Sequence, residues 1–412
     1  MDSLTVFLAL AIALGLFMAW NIGANDVANA MGTSVGSGAL TLRQAILVAA
    51  IFEFAGAVLV GAHVTETIKG EIISPEHFVA DPRAFMYGMA SALAGAAAWL
   101  LIATVLGLPV STTHSIVGAV VGFGVVSVGW REVQWDTMAP IVLSWIVSPL
   151  CGGGLAYLTF SFIRRKIILA DRPYEATVQW APHLIALVGF TLALSILYKG
   201  LKNLNLDLSF AVAGPLCLVF GGLLGLGMRI WLTRRPAPEG FSVTSVERMF
   251  AGMQIVTACY VAFAHGANDV ANAIGPVAAI VQVWRDGVLA ADAPVPFWVL
   301  VTGGVGIVVG LATYGYKVIA TVGHKITSMT PTRGFSAEFG AATTVLLASR
   351  LGLPISTTHT LVGAVIGVGL ARGLAALNLR VIRNIAYSWL VTIPASAVVA
   401  MGCFAALEAV FG

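Results

Sequence analysis

Charge is what this sequence has least of. Asp, Glu, Lys and Arg make up 10% of its 412 residues, while 58% are hydrophobic and the mean hydropathy is +0.93. Soluble proteins carry about 25% charged residues, so an ordinary soluble domain is excluded and no nucleic-acid partner is expected. Cysteine is scarce as well. Cys151, Cys217, Cys259 and Cys403 lie scattered in apolar segments with no CxxC or paired spacing, which argues against a disulfide framework or a cysteine-bound metal. No basic region precedes the first apolar run, which follows Met1-Asp2-Ser3; the run is expected to be a first span and not a cleaved signal.

Apolar stretches near or above 18 residues, in contrast, recur from end to end. Each is long enough to cross a hydrocarbon core of roughly 30 Å. The 45 glycines suit close helix packing in lipid. The expectation is an all-α integral membrane protein, embedded in the lipid bilayer as one body.

Two phrases occur twice. Gly23-Ala24-Asn25-Asp26-Val27-Ala28-Asn29-Ala30 returns unchanged from Gly266 to Ala273, and GLPVSTTHSIVGAVVG from Gly107 returns as GLPISTTHTLVGAVIG from Gly352. Asp26 and Ser111 are 85 residues apart, Asp269 and Ser356 87, so a whole unit is duplicated. Acids, amides and hydroxyls inside membrane-grade hydrophobicity are expensive and point to function. Duplication with interrupted hydrophobic segments is the pattern of a secondary transporter.

The expected layout has residues 1–130 as a first repeat, 131–245 as intervening helices, 246–373 as a second repeat and 374–412 as a final helix. The first span, residues 3–20, is expected to break at Asn21-Ile22-Gly23, and its counterpart at Ala264-His265-Gly266. The arms flanking each STTH phrase are expected to form re-entrant hairpins. The first arm of the second pair, taken as residues 336–350, is only about 22 Å long at 1.5 Å per residue. With both termini outside, the inner face receives fifteen Lys and Arg, including Arg164, Arg165, Lys166, Arg172 and Arg229. The outer face receives six, including Lys69, Arg83 and Arg131. That bias satisfies the positive-inside rule. Five single spans separate the starts of the two copies; the odd count turns them opposite ways and predicts inverted-topology repeats.

Each phrase has its own chemistry. Pro109 ends a helix, Ser111 is a natural N-cap, and Thr112 and Thr113 occupy the next first turn. Their hydroxyls join unpaired backbone amides at the positive end of a helix, which makes an anion cradle. Ser356, Thr357 and Thr358 form a second, opposed one, and two such cradles suit a tetrahedral oxyanion. His114 and His359 follow the cradles and can donate to the anion, relay a proton or make structural bonds. Asp26 and Asn29 share a helix face, as do Asp269 and Asn272, while Asn25 and Asn268 add amide oxygens. These are ligands for a hard cation such as sodium. Carboxylates beside an anion must be neutralised, so cation and anion binding are expected to reinforce each other. Glu53 and Glu338 have no counterpart in the other copy; gating, coupling and a structural role stay open for both. Arg350 can assist the anion or pair elsewhere, and Glu66 is expected near the outer surface.

At these phrases the chain resembles the inorganic phosphate transporter family, which includes bacterial low-affinity phosphate permeases and animal sodium–phosphate cotransporters. The resemblance covers essentially the full length. It implies an inverted-repeat fold with broken helices, commonly a homodimer, and phosphate import driven by sodium or protons. It also implies that phosphate contacts Ser111, Thr112, Thr113, Ser356, Thr357 and Thr358. Asp26, Asp269, Asn25 and Asn268 would hold the coupling cations and border the phosphate. The long hydrophilic central loop of animal members is missing, since the stretch from Arg164 to Pro182 is short; that favours a prokaryotic plasma-membrane protein. The principal expectation is therefore a sodium-coupled phosphate symporter without an organic cofactor and without enzymatic activity. A proton-coupled permease, a sulfate carrier of the same fold, a channel and an intramembrane aspartyl protease are the alternatives.

Overall fold

The chain folds into helices wherever the structure, a computed structural model, describes it: residues 3–61, 72–195, 197, 209–234, 243–287 and 295–412 except 351–354. Lys69 and Glu66 lie outside the described residues, as do Gly352, Leu353 and Pro354. Among the described residues nine helical segments are long and apolar enough to cross a membrane. Among the described residues the β pairing is limited to one isolated antiparallel bridge, Ile73 to Val133.

The first repeat contributes α1 (Ser3–Gly36), α2 (Leu42–Val60), α3 (Pro82–Val105) and α4 (Thr112–Ser127). Next come α5 (Trp135–Ile163), a π-turn at Arg164–Ile168, α6 (Pro173–Ser195) and α7 (Phe210–Thr233). The second repeat has α8 (Val243–Asp269), α9 (Ala271–Asp286), α10 (Phe297–Tyr314), α11 (Pro331–Arg350) and α12 (Thr357–Arg372); α13 (Leu379–Phe411) closes the chain. Local chemistry sets several starts. Thr41 and Gln44 make a capping box before α2. Asp81 caps α3, whose first residue is Pro82, and Ser111 and Ser356 cap α4 and α12.

Three expectations are corrected. Helix α1 runs unbroken through Asn21, Ile22 and Gly23, so no carbonyls are freed there. Helix α8 continues through Ala264, His265 and Gly266 and is interrupted only at Val270. Pro276, where the first copy has Thr33, lacks the amide that would bond back to Asn272, and this asymmetry accompanies the interruption. Helix α11 starts at Pro331 and has 20 residues, roughly 30 Å, because polar Thr332, Arg333 and Ser336 continue the helix below its apolar part. The short arms are instead α4 and α12, 16 residues each, roughly 24 Å.

Packing follows the duplication. Helix α1 lies on α10 and α8 lies on α2; the α3–α4 pair lies on α13, and the α11–α12 pair on α5. Glycines permit the closest approaches. Gly23 rests on the Ile307 carbonyl and Gly310 on that of Trp20; Gly266 rests on the Glu53 carbonyl and Gly56 on that of Phe263. A side chain at any of the four would enter the neighbouring backbone. In lipid, where apolar burial drives little helix association, such close packing holds helices together.

Candidate functional site

The contact of α1 with α8, with Thr112 of α4 bonded to α1 and Thr357 of α12 bonded to α8, brings the duplicated phrases to one buried place. Asp26 and Asp269 are both fully buried. Thr112 donates to Asp26 Oδ2 at 2.9 Å, and Thr357 donates to Asp269 Oδ2 at 2.8 Å. Each cradle therefore bonds the carboxylate of its own copy. The asparagines cross over: Asn29 Nδ2 donates to Thr358 Oγ1 at 2.8 Å, while Asn272 Nδ2 reaches Thr112 Oγ1 and Thr113 Oγ1 at 3.2 and 3.3 Å. Thr358 also reaches Asp26 Oδ1 at 3.3 Å. The result is a polar network between the copies, an Asn272–Thr112–Asp26–Thr358–Asn29 chain with the Thr357–Asp269 pair beside it.

A residue that sequence reasoning missed sits at its centre. His265, on α8 one turn before Asp269, places Nε2 2.9 Å from Asp269 Oδ2 and 3.7 Å from Asp26 Oδ2. Its Nδ1 lies 3.3 Å from Glu53 Oε1. Three carboxylates thus converge on one imidazole, and ligand atoms of Asp26, His265 and Asp269 lie within 4.8 Å of one another. The available signal was the i, i+4 spacing of His265 and Asp269. It was masked because the first copy carries Ile22 at that position. Glu53 joins the site through His265, held there by the α2–α8 contact.

Other predicted residues are placed differently. Asn25 is spent on the α3–α4 turn: Nδ2 donates to Thr104 Oγ1 and the Leu108 carbonyl, and Oδ1 accepts from the Val110 amide. Asn268 donates to Asp269 Oδ1 at 2.8 Å, which steadies the carboxylate. Ser111 and Ser356 accept the His114 and His359 amides as caps. His114 and His359 themselves lie in a row of rings, Trp145–His114–His359–Trp389, edge-on between the two histidines, with successive centroids 3.7, 4.2 and 3.6 Å apart. Glu338 lies elsewhere, accepting from Thr33, Ser34 and Gln254 at 2.6, 2.7 and 3.0 Å and from Thr257. Four donors make it a satisfied acid that ties α1, α8 and α11 together. The Arg350 side chain is outside the described residues.

The chemistry of the network is that of oxygen donors for a cation beside hydroxyl and amide donors for an anion. Asn29 Oδ1 and Glu53 Oε2 accept no hydrogen bond among the described groups, and they leave lone pairs for a cation. The model of the phosphate transporter family matches residues 22–400. This chain belongs to that family. A Pyrococcus furiosus protein provisionally named a phosphate permease is 48% identical over 98% of this chain and 97% of its own length. The chloroplastic inorganic phosphate transporter 2-1 of Arabidopsis thaliana is 46% identical over 95% of this chain and 70% of its own length. A solved structure of a sodium-dependent phosphate transporter superposes with a TM-score of 0.92 at 44% identity, covering 98% of this chain and all of that one. The chain is a multi-pass membrane transporter and not an enzyme.

Proposed function

We propose that the protein imports inorganic phosphate together with sodium by alternating access, with Asp26 and Asp269 at the coupling centre. The observation that carries this reading is the bonding of Thr112 and Thr357 to the carboxylates. A hydroxyl has one proton to donate. While that proton goes to Asp26 or Asp269, it cannot go to a phosphate oxygen. Sodium ions on Asp26 with Asn29, and on Asp269 with Asn272 and Asn268, would neutralise the carboxylates and release both hydroxyls. Phosphate would then take Thr112, Thr113, Thr357 and Thr358, with Ser111 and Ser356 setting the two helix starts. Cation binding therefore strengthens anion binding, and the reverse holds by linkage. His265 holds the carboxylates together when sodium is absent.

The remaining parts of the proposal concern the whole body: two inverted repeats, re-entrant α3–α4 and α11–α12 hairpins, both termini outside, a homodimer, and a plasma-membrane location. The 16-residue arms and the reciprocal packing support the hairpins and the repeats; the placement of Lys and Arg supports the orientation. One observation favours a second reading. His265 between Asp26 and Asp269 also offers a place for a coupling proton.

Labelled-phosphate uptake into proteoliposomes under an inward sodium gradient, or a matched proton gradient, separates the two. Sodium-driven uptake that is lost in Asp26→Asn and Asp269→Asn supports the proposal. Uptake driven by protons alone overturns the choice of ion.

A further inference from the structure

Helices α6 and α7, inserted between the copies, pack mainly on each other and enclose an open groove of about 560 Å³. They run antiparallel: Gly225 of α7 rests on the Pro182 carbonyl of α6, and Gly221 on that of Ala186. Arg229 therefore faces the level of Gln179, one helical turn from the groove's polar mouth. Farther in, the lining turns to Gly222 and Leu226. A Cβ added at Gly222 would meet nothing within 4 Å, and Gly222 is exposed, so the groove is open at this level.

The charges in this groove are unbalanced. Arg229 is exposed one turn before the end of α7, and its guanidinium forms no ion pair among the described residues. Glu175, the acid of the groove, is already paired with Arg172 at 3.1 Å. Helix α5 ends, α6 begins and α7 ends on this side, and Arg164, Arg165, Lys166 and Arg234 stand at the same end. Basic pockets between helices at a membrane surface receive anionic lipid headgroups. The outer residues nearby, Leu218, Val219 and Leu223, are exposed and apolar, so the groove opens toward lipid tails.

We propose that the α6–α7 groove binds one anionic phospholipid of the adjacent leaflet, its phosphate on Arg229 beside Gln179 and one acyl chain across Gly222 and Leu226. The lipid is the committed source of the phosphodiester. The apolar half of the groove has nothing to offer free phosphate.

Native mass spectrometry of the full chain in detergent, titrated with phosphatidylglycerol or phosphatidylcholine, tests this directly. Phosphatidylglycerol should bind at least tenfold more tightly than phosphatidylcholine. Arg229→Gln should remove that preference, Arg229→Lys should keep most of it, and Arg131→Gln at an exposed loop should leave it unchanged. Gly222→Leu, which fills open space without touching the backbone of α6, should weaken both lipids while the melting temperature holds. Equal binding of the two lipids, or an unaltered Arg229→Gln variant, overturns the proposal. So does displacement of phosphatidylglycerol by equimolar inorganic phosphate. Loss of dimer in Gly222→Leu with lipid binding intact would overturn it too, by assigning the groove to a second copy. None of these readouts uses transport, so the outcome is independent of the coupling ion.

Discussion

His265 makes contacts with three acids that lie on three different helices, α1, α2 and α8. Removing one partner of a buried ionic cluster costs about 3–5 kcal/mol because the remaining charges stay desolvated. His265→Gln should therefore melt well below the native protein in sodium-free buffer. Sodium should restore more of the melting temperature in the variant than in the native protein; equal sodium-induced shifts would argue against His265 as the placeholder. The threonines are tested by a swap that keeps shape. Thr112→Val and Thr357→Val each remove one hydroxyl, and a hydrogen bond to a charged group is worth about 1.5–3 kcal/mol. The apparent KM for phosphate should rise roughly tenfold to a hundredfold in uptake assays, with Thr343→Val as a control outside the network. Glu338→Gln keeps shape as well, but its new NH2 group would face donors where Oε1 or Oε2 now accepts. A lowered melting temperature is expected, with the sodium dependence of uptake retained. Loss of sodium dependence in a well-folded variant would make Glu338 a coupling residue.

The element scale is governed by helix starts and by helix contact. Ser111 and Ser356 each satisfy one amide of a hairpin helix, and replacing such a cap by Ala costs about 1 kcal/mol. The two substitutions should lower the melting temperature by similar amounts, because the two caps are equivalent. A large difference would show that one hairpin is held by something besides its cap. Gly23 and Gly266 are a second matched pair. Each faces a carbonyl of the neighbouring helix, so Gly→Ala at either forces the helices apart, an overpacking cost of about 1–3 kcal/mol or more. Gly154→Ala, where a Cβ would meet nothing, should be silent in the same melting experiment. Helix lengths carry a related lesson. The hydrophobic pattern located α11 but shortened it at its start, since a helix propagates through polar residues once backbone bonding is established.

At the scale of the whole molecule, the proposed orientation places Arg165 and Arg131 on opposite faces. Single cysteines at these two sites, introduced in a variant lacking the four native cysteines, should label with a membrane-impermeant maleimide from opposite sides of sealed vesicles. Arg131→Cys should react from outside. Labelling of both from one side would refute the alternation of spans between them. The reciprocal packing of α1 on α10 and α8 on α2 makes the site a joint product of both copies: Asn29 serves the second cradle and Asn272 the first. Under the proposed alternating access, any rocking of one copy against the other must break or remake these bonds.

The apolar runs pointed to the helical build, and the repeated phrases pointed to a transporter and marked the Ser111 and Ser356 caps and both aspartates, because duplication marks residues wherever both copies keep them. It could not mark His265 or Glu53, whose counterparts are apolar. It also gave Asn25 a ligand's role, although its amide closes the α3–α4 turn. Those assignments depend on which backbone lies against which. Gly56 and Gly266 bring α2 onto α8 closely enough for Glu53 to reach His265, and the pattern of one helix does not encode its distance to another. The sequence by itself determined which residues are chemically equipped for the site; the tertiary structure decided which of them meet, because contact between distant segments is set by helix packing.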